Sequence, residues 1–229
     1  MRCMNPDFFG DYHDLFKYDL IFTIMDRMKN DLSSFMFIPM LTENRPPKNK
    51  DIAGTGNLEL WELFNSLFGN GAVHGYLEGI RQYFISVGFR TKVFNERIFS
   101  HPHRKEYFDS VRAQLPMNSL IFLDPDTGLK ENGASEKHLR YSELRNLIME
   151  LDENSILMVY QHHYRYKKQI LNFPEFIADQ VQEKIGMRPA CIDDNSIMFL
   201  FLTKNIPLKE KLEGILEDYR KKYPRSFNK

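Results

Sequence analysis

The segment NSLIFLDPDTGL, residues 118–129, contains a strand that ends at an acidic residue. Ser119 to Leu123 is a short apolar run of strand type. Pro125 prevents ladder pairing directly after Asp124, because proline has no backbone N–H. Gly128 can take the positive φ that a turn at 126–128 requires. Ligands of open α/β sheets bind at the carboxyl ends of strands, so the segment predicts a functional site beside Asp124.

Strand-type runs alternate with helical segments along the rest of the chain. Predicted strands cover residues 34–41, 90–94, 119–123, 155–160, 188–192 and 197–203. Predicted helices cover residues 11–30, 58–68, 75–87, 102–115, 142–151, 164–185 and 207–222. The alternation predicts a three-layer α/β fold with a mostly parallel Rossmann-like sheet, and the tight turn between the last two strands predicts an antiparallel C-terminal edge. We expect one α/β domain over 1–229, with an inserted helical and loop segment around 42–88.

Charge and cysteine content narrow the classes of protein. Lys plus Arg and Asp plus Glu each number 31, so no overall field favours nucleic acid or a membrane, although a local basic patch remains allowed. Two cysteines, Cys3 and Cys191, supply neither a disulfide framework nor a zinc quartet. The acidic residues Asp7, Asp11 and Asp14 near the N-terminus predict that the chain has no signal peptide, and no apolar run approaches the roughly 18 residues that span a bilayer. These features predict a cytoplasmic protein without a membrane partner, and they carry no signal for an oligomeric state.

The first predicted helix places charged residues on its apolar side. On a helical wheel at about 100° per residue, Asp14, Lys17 and Tyr18 fall on the apolar arc, whereas Asp19 falls on the solvent side. The arc itself is defined by Ile21, Ile24, Met25 and Met28. Asp14 and Lys17 either neutralise each other as an inward i, i+3 pair or form a polar cluster at the rim of a pocket, because buried charges require partners.

Asp124 and Asp126 allow two interpretations. DPDTG can be an Asp-initiated turn with no further role. Alternatively, Asp124 accepts a hydrogen bond from a substrate amine or hydroxyl, or binds a metal. The position at a strand end favours the functional interpretation.

The segment YQHHYRYKK, residues 160–168, follows another buried strand. In a parallel sheet its histidines lie at the same edge as Asp124, and because they are adjacent, at most one of His162 and His163 faces the site. Its basic and aromatic side chains suit contact with phosphates and bases, and equally a solvated helix start. Candidate substrate contacts near these strand ends are Thr127, Gly128, Gln161 and Arg165.

Three spaced motifs give the chain a family resemblance. GDYHDLFKYDL at 10–20, FLDPDTGL at 122–129 and HHYR at 162–165 resemble motifs of a family of uncharacterised bacterial and archaeal proteins. A more distant similarity links the chain to bacterial large-subunit ribosomal-RNA adenine methyltransferases, whose opening reads G-N-x-x-D-x-x-K-H. Gly10, Asp14 and Lys17 match that opening, with Tyr18 in place of the histidine.

The similarity to these methyltransferases implies S-adenosylmethionine as cofactor and nucleic acid as substrate. Asp124 and Pro125 match the first half of their D-P-P-Y motif, which implies that Asp124 holds the target amine. The aromatic position of that motif is Thr127 here. The candidate cofactor-binding residues are Gly10, Asp14, Lys17, Tyr18, Glu43 and Glu96. Glu43 lies in the polar loop after the first strand. Glu96 follows the strand at 90–94, where nucleotide-binding folds often place an acid for a ribose, and a solvent-exposed glutamate is an equal alternative.

Three hypotheses about function therefore arise. The leading one is a methyltransferase-like protein, using S-adenosylmethionine and acting on nucleic acid, with His162 or His163 as general base or substrate contact. The second is a metal-dependent phosphoesterase or nuclease, in which Asp124, Asp126 and His162 bind a divalent ion. The third is a non-catalytic binding protein on the same fold.

Overall fold

The structure, a computed structural model, describes residues 12–41, 60, 62, 73–94, 97–163 and 172–222. These residues form helices α1 (Tyr12–Arg27), α2 (Val73–Ser86), α3 (Arg104–Arg112), α4 (Tyr141–Glu150), α5 (Phe173–Ile185) and α6 (Ile206–Lys222). A 3-10 turn, His101–His103, precedes α3. The strands are β1 (Ser34–Ile38), β2 (Arg90–Val93), β3 (Ser119–Leu123), β4 (Gly128–Leu129), β5 (His138–Leu139), β6 (Ile156–His162), β7 (Ala190–Asp193) and β8 (Ile197–Leu202).

Six of the strands form one sheet in the order β2-β1-β3-β6-β8-β7. β2, β1, β3 and β6 pair in parallel, and β8 runs antiparallel to both β6 and β7. The expected α/β fold with a mostly parallel sheet and an antiparallel C-terminal edge is therefore confirmed. The reversed strand follows β7 through the turn at 194–196, which is too short for the crossover that a parallel neighbour requires.

Both faces of the central strands β1 and β3 are buried, because every residue of these two strands is apolar or serine and is covered by the layers above and below. Alternate side chains, such as Phe37 and Phe122, join the core formed with α1, α2 and α6. The intervening ones, such as Ile38 and Leu123, join the core formed with α3, α4 and α5. We call these two sides of the sheet the α1 face and the α3 face.

The element boundaries differ from the sequence expectations in a few places. The small parallel pair β4–β5 was not expected, because two-residue strands carry no periodic signal. The helix expected at 102–115 is divided into the 3-10 turn and α3, since Pro102 lies at its start. Most of the helix expected at 58–68 and the first part of the one at 164–185 lie outside the described residues. Within the described ranges, no helix is both long and apolar enough to cross a membrane.

The helical-wheel prediction for Asp19 is wrong. It was expected on the solvent side of α1, but it is buried and accepts a hydrogen bond from the Tyr219 hydroxyl at 2.7 Å. The helical wheel shows only one apolar arc. In the structure α1 packs against the sheet on one side and against α6 on another, and Asp19 lies on the second of these sides.

Replacing Tyr219 with phenylalanine should destabilise the protein by about 1–2 kcal/mol, because a buried carboxylate loses a hydrogen bond from the α6 hydroxyl. Urea unfolding at pH 7 measures the difference. A midpoint equal to that of the wild type would show that the hydroxyl of Tyr219 does not stabilise the contact between α1 and α6.

Candidate functional site

The sheet has a topological switch point beside Asp124. From β1 the chain first forms β2 on one side of β1, and then forms β3 on the other side. The connections therefore diverge at the carboxyl ends of β1 and β3, where open α/β sheets leave a crevice for ligands. Asp124 directly follows β3, and its backbone N–H donates to the Ile38 carbonyl of β1 at 3.0 Å. The sequence expectation of an acid at this edge is confirmed.

A buried ion cluster lies at this switch point. Lys17 Nζ donates to Asp124 Oδ2 at 2.7 Å and to Asp14 Oδ1 at 2.6 Å. The Tyr76 hydroxyl of α2 donates to Asp14 Oδ2 at 2.9 Å. Lys17 and Asp14 are each 4% exposed and Asp124 is 3% exposed. The helical wheel predicted that Asp14 and Lys17 would be buried and in contact, and this is confirmed; the link to Asp124 joins α1 to β3.

Aromatic rings surround the ammonium group of Lys17. The Nζ atom lies 5.7 Å from the ring centroid of Tyr18 and 5.6 Å from those of Phe122 and Tyr160. These distances are within the range of cation–π attraction. The site thus combines carboxylates with aromatic faces, a combination suited to ammonium groups and to planar amines.

Burial and neighbouring charges have opposite effects on the pKa values of Asp124 and Lys17. Burial raises the pKa of Asp124 to about 6, although Lys17 opposes the increase. Burial lowers the pKa of Lys17, but the carboxylates of Asp124 and Asp14 raise it by more, so its pKa lies well above the usual value. Burial also raises the pKa of Tyr18. At pH 7 Lys17 is therefore charged and Asp124 is mostly ionised.

The loop after Asp124 is attached to β6 by Gln161. The fully buried Gln161 side chain accepts from the Leu129 N–H at 2.8 Å and donates to the His162 carbonyl at 2.8 Å. The His162 N–H donates to the Thr127 carbonyl at 3.0 Å. Gly128 has φ 114°, and a Cβ there would lie 2.4 Å from Gln161 Oε1. Gln161 and Gly128 therefore hold the loop in place, and their expected contact with a substrate stays a prediction.

The two histidines lie on opposite faces of the sheet. His163 is buried on the α3 face, where its Nε2 contacts Asp193 Oδ1 and its ring packs 4.5 Å from that of Phe173. His162 is exposed and pairs in register with Ile197, a residue of the α1-face core. Because partners in an antiparallel pair share a face, His162 lies on the side of Asp124. The structure does not bring His163 to Asp124. The sequence prediction that His163 is a catalytic residue beside Asp124 is therefore wrong.

The two carboxylates expected to bind a metal ion each have a lysine partner. Asp124 is bonded to Lys17, whereas Asp126 Oδ2 lies 3.0 Å from Lys137 Nζ. Within the described ranges, no group of three or more His, Cys, Asp or Glu side chains is arranged to hold a metal ion. Asp124, Asp126 and His162 thus do not form the ligand set that the metal-dependent hypothesis required. The candidates Gly10, Glu43, Glu96 and Arg165 lie outside the described residues.

Two residues of the site were missed in the sequence. Tyr76 reaches Asp14 from a helix 62 positions away, a pairing without any local signal. Tyr160 had a usable signal: it stands near the end of a buried strand, two positions before His162, which places both on the same face.

Two comparisons with known proteins found no similar protein. No protein-family model matches the chain, and a search of curated proteins found no significant match.

Proposed function

We propose that this chain is a methyltransferase-like protein that uses S-adenosylmethionine and acts on an amine of a nucleic-acid base. The observation that supports this most directly is the buried Asp124 at the switch point, with one carboxylate oxygen held by Lys17. The described residues supply no hydrogen bond to the other oxygen, Oδ1, which is therefore available to a substrate N–H. Asp124 and Asp126 each contact a lysine, and the described residues offer no group of three or more His, Cys, Asp or Glu side chains arranged for a metal ion; both observations disfavour the metal-dependent alternative.

The charge of the cluster fits the cofactor. The side chains of Asp14, Asp124 and Lys17 sum to one negative charge when both carboxylates are ionised, which suits a positively charged ligand. S-adenosylmethionine supplies an electrophilic methyl group on a positively charged sulfonium. Asp14, Lys17 and Tyr18 would line its site, as the family resemblance implies. A cytoplasmic location, consistent with two cysteines and no disulfide framework, belongs to the same proposal.

Asp124 and Lys17 have distinct roles in the proposed reaction. The Asp124 carboxylate accepts a hydrogen bond from the amine N–H, which orients the nitrogen lone pair and stabilises positive charge that develops there. Lys17 limits the rise in the pKa of Asp124, so the carboxylate is ionised at neutral pH. Its hydrogen bond to Asp124 also fixes the direction of that carboxylate, and its hydrogen bond to Asp14 holds the ammonium group in place.

Thermal unfolding with 1 mM S-adenosylmethionine tests the proposal. We expect the melting temperature of the wild type to increase by mass action, and the increase to be smaller for Asp124→Asn, which lowers the negative charge of the cluster. S-adenosylhomocysteine, which lacks the positive sulfonium, is the matched ligand control and should stabilise less.

Transfer of labelled methyl groups to bulk RNA or single-stranded DNA provides the second measurement. Because the pKa of Asp124 is about 6, we expect the rate to increase about tenfold per pH unit below 6 and to level off above it. No thermal shift with the cofactor, together with a shift on adding Mn²⁺ that Asp124→Asn abolishes, would contradict the proposal and favour the metal-dependent function.

A further inference from the structure

We infer that Tyr76 is a positioning residue for Asp124: through Asp14, it determines how the ammonium group of Lys17 is shared between the two carboxylates. The inference rests on the proposed function, in which Asp124 holds the substrate amine, and it extends the reaction machinery to α2. Tyr76 acts on Asp124 through two other side chains and not by contact with the substrate.

Four buried side chains form one continuous series of hydrogen bonds. The Tyr76 hydroxyl donates to Asp14 Oδ2 at 2.9 Å, and Lys17 Nζ donates to the other oxygen of Asp14 at 2.6 Å. The same Nζ atom donates to Asp124 Oδ2 at 2.7 Å. Tyr76 is 2% exposed, and the three charged residues are no more exposed than 4%. Because hydrogen bonds in such an environment polarise one another, a change at Tyr76 affects the carboxylate at the other end.

Lys17 lies between two carboxylates that share its single positive charge. Burial lowers the pKa of Lys17, whereas Asp124 and Asp14 both raise it, so the ammonium group interacts with both. A hydrogen bond donated to a carboxylate stabilises its negative charge, and this makes its oxygens weaker acceptors for other donors. The Tyr76 hydroxyl thus weakens the attraction of Asp14 for Lys17. More of the positive charge is then left for Asp124.

The fold brings Tyr76 to the carboxyl edge of the sheet. α2 leads into β2, which runs parallel to β1. A helix that precedes a strand of a parallel sheet runs back across that sheet, so the first turn of α2 lies at the carboxyl edge. Tyr76 ends this first turn, and Leu77, Ile80 and Phe84 bury the same side of α2 in the α1-face core. Helix packing therefore determines where the Tyr76 hydroxyl lies.

The ionisable side chains around Asp124 come from several elements. Within the described residues, those that act on Asp124 or contact the cluster are Lys17, Asp14 and Tyr18 of α1, Tyr76 of α2, Tyr160 of β6 and Asp126 of the loop after β3. Replacing Tyr76 with phenylalanine removes a hydroxyl group without changing any of the formal charges. Its effect on Asp124 therefore reports hydrogen bonding through Asp14.

NMR titration of the side-chain carboxyl carbon of Asp124 tests the inference, with the signal assigned by its loss in Asp124→Asn. In the wild type the pKa of Asp124 is about 6. Tyr76→Phe should raise the midpoint by about 0.5–1 pH unit, because Lys17 moves toward Asp14 and stabilises the Asp124 carboxylate less. Tyr219→Phe is the matched control. It also removes a buried hydroxyl bonded to an aspartate of α1, but that aspartate is Asp19, outside the cluster; its midpoint should equal that of the wild type.

A double-mutant cycle tests whether the effect passes through Asp14. Asp14→Asn should lower the midpoint of Asp124, because Lys17 then has one carboxylate partner fewer and a negative neighbour is removed. Adding Tyr76→Phe to Asp14→Asn should produce no further shift. An additional shift equal to that of Tyr76→Phe alone would overturn the route through Asp14. Melting temperatures establish that each variant is folded.

The remaining results separate this inference from the proposed function, because the titration needs neither cofactor nor substrate. An unchanged or lowered midpoint in Tyr76→Phe, or an equal shift in Tyr219→Phe, would overturn the role of Tyr76, whether or not methyl transfer occurs. If the midpoint rises but no methyl transfer is found, the control of Asp124 by Tyr76 stands and the proposed reaction fails. If methyl transfer occurs, its pH profile in Tyr76→Phe should move to higher pH by the same amount as the titration.

Discussion

Replacing Lys17 with methionine should destabilise the protein by about 3–5 kcal/mol at pH 7, because removing one partner of a buried ion pair leaves uncompensated charge. Methionine keeps an unbranched side chain of similar length, so the main loss is the ammonium group and its two hydrogen bonds. Asp124 and Asp14 would then both lose the ammonium group that contacts them.

The loss should be smaller at pH 5 than at pH 7. The pKa of Asp124 is raised from 3.8 to about 6 in the folded protein. The stability that Asp124 contributes is therefore fully present below pH 3.8 and is lost as the pH rises through 6. In Lys17→Met the pKa of Asp124 rises further, so at pH 5 its carboxyl group is neutral and needs no cation. The difference from the wild type should decrease by roughly 1 kcal/mol between pH 7 and pH 5.

Urea unfolding of both proteins at the two pH values measures this effect. Lys29→Met is the matched control, because Lys29 is exposed and 3.6 Å from the exposed Asp26; it should change stability by no more than about 0.5 kcal/mol. The double variant Lys17→Met/Asp124→Asn should regain part of the lost stability. An equal loss at pH 5 and pH 7 would contradict the assigned electrostatics.

Gly128→Ala should destabilise the protein by about 2–4 kcal/mol, because it combines backbone strain with a steric clash. The φ of 114° disfavours any residue with a Cβ, and the new Cβ would lie 2.4 Å from Gln161 Oε1. Gln161 cannot move away without giving up its hydrogen bond to the Leu129 N–H. The loop that follows Asp124 would therefore shift, and we expect cofactor and oligonucleotide binding to weaken with it.

Gly88→Ala provides the control for backbone strain alone. Gly88 has φ 97°, and no atom lies within 4 Å of a Cβ built there. Gly88→Ala should lower the free energy of unfolding by about 1–2 kcal/mol. Any larger decrease in Gly128→Ala therefore measures the clash with Gln161. If the two variants lost equal stability in urea unfolding, Gln161 would not brace the loop as described.

Much of the fold could be predicted from local patterns. The run at 119–123 corresponds to β3 without any shift, and the strand alternation specified a parallel sheet. These predictions succeed because apolar periodicity and proline and glycine positions act over a few residues. The wheel position of Asp14 and Lys17 likewise indicated a buried pair, since one helix turn places both on the same side.

Other features depend on how distant segments pack together. The order of the strands creates the switch point that joins α1 to Asp124, and α6 buries Asp19 against the expectation from its own helix. Only the register between β6 and β8 shows which of His162 and His163 lies on the face of Asp124, because a one-residue difference in register exchanges the two faces. Tyr76 and Tyr160 join the site from α2 and β6, where only the packing of those elements places their rings next to the charges. Local periodicity thus specified which segments form strands and helices and which charges point inward, and long-range packing specified which of those charges meet.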